Sequence, residues 1–118
     1  MKLKIRKNVL SEALNNVSKA LSSKNIVPIL SGIKFNLTKE KLILTASDND
    51  ITIQTEIEKS EDLEILKTGS IVIKGKYIID IIRKLDSEFI NMEIVDDYKV
   101  LIYTENSEFN LNGIDARE

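Results

Sequence analysis

Ser70-Ile71-Val72-Ile73-Lys74-Gly75-Lys76-Tyr77-Ile78-Ile79-Asp80-Ile81-Ile82-Arg83-Lys84-Leu85 changes periodicity partway along. Ser70 to Lys74 is rich in β-branched residues and reads as a strand. Ile78, Ile81, Ile82 and Leu85 then recur at i, i+3, i+4 and i+7, the single apolar stripe of an amphipathic helix, which Asp86-Ser87 ends. The same register occurs at an offset of 68 residues toward the start. Leu3-Lys4-Ile5-Arg6 falls on Ile71-Val72-Ile73-Lys74, and Leu10, Ala13, Leu14 and Val17 fall on Ile78, Ile81, Ile82 and Leu85. Residues 2–6 alternate, with Leu3 and Ile5 on one face and cations on the other, so they too read as a half-buried strand. The helix after them extends its stripe to Leu21, with Asn8 as N-cap and Ser11 and Glu12 in the first turn. Its opposite face carries Lys7, Ser11, Asn15, Ser18 and Lys19.

Outward from these two cores the pattern also repeats. Pro28 biases Val27 to an extended conformation and breaks the first helix. Strands are expected at about 30–37, 41–47 and 51–58, joined by Thr38-Lys39-Glu40 and by Ser47-Asp48-Asn49-Asp50. Ile51, Ile53 and Ile57 share one face of the third. Residues 59–67 are read as a charged, exposed loop. After the second helix come strands at about 89–95, 99–104 and 107–112, turned by Asp96-Asp97 and Glu105-Asn106. Each half is therefore strand–helix–strand–strand–strand, an internal duplication with repeats at about 1–58 and 68–115. Two similar segments arising by chance is the plainer alternative, but the element order and the core positions both agree. Residues 2–58 and 70–113 are expected to superpose. Neither half buries its helix alone, so the expected fold is α+β, with two helices on one side of antiparallel sheet.

Composition narrows function. The chain has 118 residues, one domain's worth, and 42% apolar content suffices for one core. Cysteine and histidine are both absent, which removes disulfides, thiolate metal sites and the usual general base near neutral pH. No apolar h-region follows the basic residues at the start, and no run approaches membrane-spanning length, so a cytoplasmic protein is expected. The net charge is −2, but it is unevenly spread. Residues 1–34 carry Lys2, Lys4, Arg6, Lys7, Lys19, Lys24 and Lys34 against Glu12 alone. Residues 74–84 carry Lys74, Lys76, Arg83 and Lys84 against Asp80. The rest of the chain is strongly acidic. Both basic segments begin a half, so the reading is a helical face biased positive and an outer surface biased negative, which suits a polyanion.

Motifs for chemistry are missing. Gly32, Gly69, Gly75 and Gly113 are scattered and form no phosphate loop. Asp48 with Asp50, and Asp96-Asp97, read as turn chemistry rather than as a magnesium site. A single helical lysine is ordinarily a solvated one; the grouping of Lys7, Lys19, Lys76 and Arg83 on one side is what favours a role. Phe35, Tyr77, Phe89, Tyr98, Tyr103 and Phe109 form no row of stacking aromatics, and no base-reading set stands on a recognition helix. Nucleic acid would be met through phosphates, without sequence reading.

Four segments then align with a known family: Met1-Lys2-Leu3-Lys4-Ile5; Val27-Pro28-Ile29-Leu30-Ser31-Gly32-Ile33; Leu44-Thr45-Ala46-Ser47-Asp48-Asn49-Asp50-Ile51; and Phe109-Asn110-Leu111-Asn112-Gly113-Ile114-Asp115. In order and spacing they resemble the first domain of bacterial DNA sliding clamps, the beta subunit of DNA polymerase III. The resemblance covers the whole chain. It implies three such domains per subunit, with two subunits closed head to tail into a ring. Helices line the hole around duplex DNA, and the ring tethers the polymerase with no catalysis or cofactor of its own. It makes Lys24 a DNA contact on the loop after the first helix. It makes Phe109 and Leu111 the apolar strand positions that meet the partner subunit, bordered by Ile78 and Ile79 on the second helix, where Ile78 is alternatively core. The family often has basic residues just before the Phe-x-Leu strand; Asn106 and Glu108 stand there instead, which removes the basis for ion pairs across that contact. The pocket for clamp-loader and polymerase peptides belongs to the later domains. Glu118 falls near the first domain boundary, so a fragment lacking domains II and III is expected. The competing expectation is a stand-alone, non-enzymatic α+β module binding RNA or another acidic partner through its basic helical face.

Overall fold

The computed structural model describes residues 1–21, 32–48 and 50–116. Among them, strands and helices follow in the order β1 (Lys2–Arg6), α1 (Lys7–Ser18), β2 (Gly32–Leu37), β3 (Lys41–Ser47), β4 (Thr52–Glu58), β5 (Leu63–Lys67), β6 (Gly69–Lys74), α2 (Gly75–Lys84), β7 (Phe89–Val95), β8 (Lys99–Tyr103) and β9 (Glu108–Asn112). The sequence-predicted break at Pro28 lies outside the described residues.

The strands form two antiparallel sheets rather than one: β5-β1-β7-β8-β9 and β4-β3-β2-β6. The first strand of each half leaves its own half. β1 pairs with β7, and β6 pairs with β2. Each sheet therefore needs both halves, which makes the chain one cooperative unit.

Leu3, Ile5, Leu10, Ala13, Leu14, Val17, Ile78, Ile81, Ile82 and Leu85, the positions given by the two periodicities, are all buried in a single core. Phe35, Leu44, Ile90, Met92, Val100 and Ile102 complete it from the sheets. Among the described residues no polar or charged one is buried. Any chemistry of the described residues is therefore surface chemistry.

Four expectations are corrected. Residues 63–67 are not loop but strand β5, antiparallel to β1, with Leu63 fully buried. Its charges point outward, as an edge strand tolerates, and only Leu63 and Ile65 betray the alternation. Asn8 does not cap α1; Arg6 holds that position without a side-chain cap. The chain passes straight from strand to helix, and the Arg6 and Lys7 N–H groups donate to the Asp62 and Glu88 carbonyls at 2.8 Å each. Tertiary backbone thus does what a cap would do. Helix α1 stops at Ser18, short of Leu21. Ile51 precedes β4 and is exposed, held outside the strand where Asp48 Oδ1 accepts the N–H groups of Asp50 (2.8 Å) and Ile51 (2.7 Å). The other acidic turn is as expected: Asp96 and Asp97 take φ of 45° and 60°, the left-handed pair of a tight hairpin.

Candidate nucleic-acid interface

The helices lie side by side in opposite senses. Lys7, at the start of α1, donates from Nζ to the carbonyl of Leu85, at the end of α2. Helix α1 also packs on β3 and β4, where Asn16 Nδ2 donates to Thr55 Oγ1 at 2.5 Å. With their apolar stripes buried, the helices present Lys7, Lys19 at the C-cap of α1, Lys76, Arg83 and Lys84, against only Glu12 and Asp80.

These cations are not equivalent. Lys7 is half-buried and tied to Leu85, so its ammonium is fixed and offsets the partial negative charge where α2 ends. Lys84 pairs with Asp80 one turn back at 3.1 Å. Lys76 lies over the Tyr77 ring at 5.1 Å, with Lys74 over the same ring at 5.8 Å. Lys19 borders a cleft of about 550 Å³ between α1 and β4. Arg83 is exposed and makes no ion pair among the described residues. Lys24 lies outside them.

The expectation that both basic segments belong wholly to the helical side is corrected. Leu3 and Ile5 face the core beneath the helices, so Lys2, Lys4 and Arg6 project from the opposite face of their sheet. Lys34 alternates with buried Ile33 and Phe35 in the same way. Arg6 is committed elsewhere. Its Nε meets Asp62 Oδ1 at 2.7 Å, it bonds Glu88, and its guanidinium lies 4.6 Å from the Phe89 ring centre. The bonds to Asp62 and then Glu88 hold its pKa above the ordinary arginine value. Lys4 approaches Phe89 at 5.2 Å. Among the described residues the positive bias of the helical face thus rests on the helices alone.

Strand β9 is the last strand of its sheet, so one edge carries no partner strand among the described residues. Phe109 and Leu111 pair with buried Ile102 and Val100 and are half-buried on the core-facing side. Ile78 is fully buried and has no surface for a partner; the core alternative describes it. Ile79 is half-buried and lines the groove between the helices. Ser11 and Asn15, placed by the sequence on the polar face of the first helix but given no role there, line that groove too. Their i, i+4 spacing on the polar face of α1 was the available signal.

Among the described residues no group of acids is arranged to hold a metal ion, and no helix is long and apolar enough to cross a membrane. The class these features define is an α+β module presenting a cationic helix pair on one side of two sheets. The chain belongs to the family of the DNA polymerase III beta subunit, N-terminal domain, whose family model matches residues 1–118. It is 39% identical over 122 residues to the beta sliding clamp of Bacillus subtilis (strain 168), covering 100% of this chain and 32% of that protein. The solved sliding clamp of Bacillus subtilis superposes with a TM-score of 0.96 at 38% identity, again over 100% of this chain and 32% of that one. The beta clamp of Helicobacter pylori, solved bound to a DNA ligase peptide, gives 0.87 at 37% identity over 100% and 32%. The chain spans about a third of the length of the curated relatives it matches. Nothing in these likenesses supports a stand-alone RNA-binding module.

Proposed function

We propose that this chain is domain I of a processivity clamp, a ring that encircles duplex DNA and tethers the replicative polymerase in the bacterial cytoplasm. Its two halves, about 1–58 and 68–115, are repeats of one unit, and domains II and III complete the subunit. The observation that carries the reading is the helix pair, which presents five cations against two acids in a chain whose net charge is −2. Such a face meets phosphates of either strand at any sequence. Lys7, Lys19, Lys76 and Arg83 are its DNA contacts, with Lys84 paired to Asp80 beside them, and Lys24 is added as the contact that the family resemblance implies. The domain catalyses nothing; it holds position and charge. The open edge of β9, with Phe109 and Leu111, is the contact for the partner subunit in a head-to-tail dimer, and Ile79 borders it. Polymerase and clamp loader are bound by the other domains.

The test is charge reversal. Replacing Lys24 and Arg83 together with glutamate is expected to weaken binding to a short duplex at low salt, read by fluorescence anisotropy. Reversing Lys34 and Lys99, which lie away from the helices, is expected to leave binding unchanged. Equal losses from both pairs would defeat the assignment of the face.

A further inference from the structure

The groove between α1 and α2 encloses about 250 Å³. Lys7 and Arg83 line it together with two neutral hydrogen-bonding side chains, Ser11 and Asn15, over a floor that includes Leu14 and Ile82. Among the described residues no acid lines it, although the chain has 19. The nearby acid on α2, Asp80, is taken by Lys84. Arg83 is thereby left as the uncommitted cation of the last turn of α2, with the planar fork of donors that matches phosphate oxygens. The Leu85 carbonyl fixes the Lys7 ammonium, which keeps further N–H donors to spare. Ser11 and Asn15, at i and i+4, stand one above the other on α1.

We propose that this inter-helix groove seats a single phosphate of the DNA backbone, gripped by Arg83 and Lys7 and completed by donation from Ser11 and Asn15. The inference rests on the clamp reading and deepens it: one defined contact within an otherwise diffuse cationic face. The apolar floor holds the side chains upright, and the pinned Lys7 is preorganised before DNA arrives.

The experiment measures duplex DNA binding by this chain across a series of low salt concentrations. Arg83→Gln is expected to lower affinity and to reduce the slope of log K against log salt by about one unit, the signature of one lost phosphate contact. Arg83→Lys keeps the slope but lowers affinity, because the charge remains and the fork is lost. Ser11→Ala and Asn15→Ala each lower affinity by about tenfold, the lower end of the scale for a hydrogen bond to a charged group, with the slope intact. Lys34→Gln alters neither. If Arg83→Gln leaves affinity and slope unchanged while Lys19→Gln and Lys76→Gln reduce both, the seat is refuted and the clamp reading survives. If no helix variant alters binding, the DNA-facing assignment fails as well.

Discussion

Gly113 ends β9 and turns the chain from one sheet to the other. Its N–H donates to the Tyr98 carbonyl at 2.7 Å, and Ile114 then exchanges bonds of 2.8 and 3.0 Å with Val72 at the edge of β6. A Cβ at Gly113 would lie 2.4 Å from Ile71 Cδ1, 2.6 Å from its Cγ1 and 3.0 Å from the Tyr98 carbonyl oxygen. Ile71 is fully buried, so it has no empty space to move into. Gly113→Ala is therefore an overpacking change, expected to cost about 1–3 kcal/mol. With a urea m-value of about 1.5 kcal/mol/M, the unfolding midpoint should fall by roughly 0.7–2 M. A double-mutant cycle isolates the cause. Ile71→Val removes the closest atom and costs about 1 kcal/mol on its own. If the clash is the mechanism, Gly113→Ala costs less on that background, a favourable coupling on the order of 1 kcal/mol, with the remaining cost set by the γ carbon at 2.6 Å and the Tyr98 carbonyl. The assay is urea denaturation followed by circular dichroism. An unchanged midpoint for Gly113→Ala, or strict additivity of the two changes, would refute the reasoning.

Further outcomes follow from other contacts. Lys7→Met removes the tie to Leu85 and should lower stability by about 1 kcal/mol, with faster amide exchange at the end of α2. Arg6→Gln frees Asp62 and Glu88, and hydrogen exchange should accelerate in β5 (Leu63–Lys67) more than in β3. Phe109→Asp should reduce concentration-dependent association in sedimentation and, in a full-length clamp, weaken the dimer. Because Phe109 also packs against the core, the same change should lower the domain's own stability by roughly 1–2 kcal/mol. Leu111→Asp should act alike.

Much of the fold was legible because local periodicity reports burial directly. β1, β3 and β7 have the boundaries their alternation gives, and the helical stripes name the buried residues. Strand β5 was hidden because two inward apolar residues among charges carry too little signal. The exchange of β1 and β6 between halves was hidden for a different reason. Alternation tells which face is buried but not which neighbour a strand takes. For the site, the sequence held more than segment counting drew from it. Leu3 and Ile5 already sent Lys2, Lys4 and Arg6 away from the core, hence away from helices packed on it. The Asp80–Lys84 spacing allowed that ion pair, but Asp80 and Arg83 at i, i+3 allowed one as well, so only the structure shows which cation Asp80 takes. The groove itself was not legible, since it needs the antiparallel contact of two helices far apart in sequence.

The most direct test of the cationic helical face is an amide chemical-shift map of the labelled chain titrated with a short duplex at low salt. Perturbations are expected to concentrate on α1 and α2, around Ser11, Asn15, Lys19, Lys76 and Arg83, to fade as salt is added and to be alike for duplexes of unrelated sequence. Perturbations confined to the outer faces of β3 and β8, or binding that ignores salt, would contradict the assignment of that face.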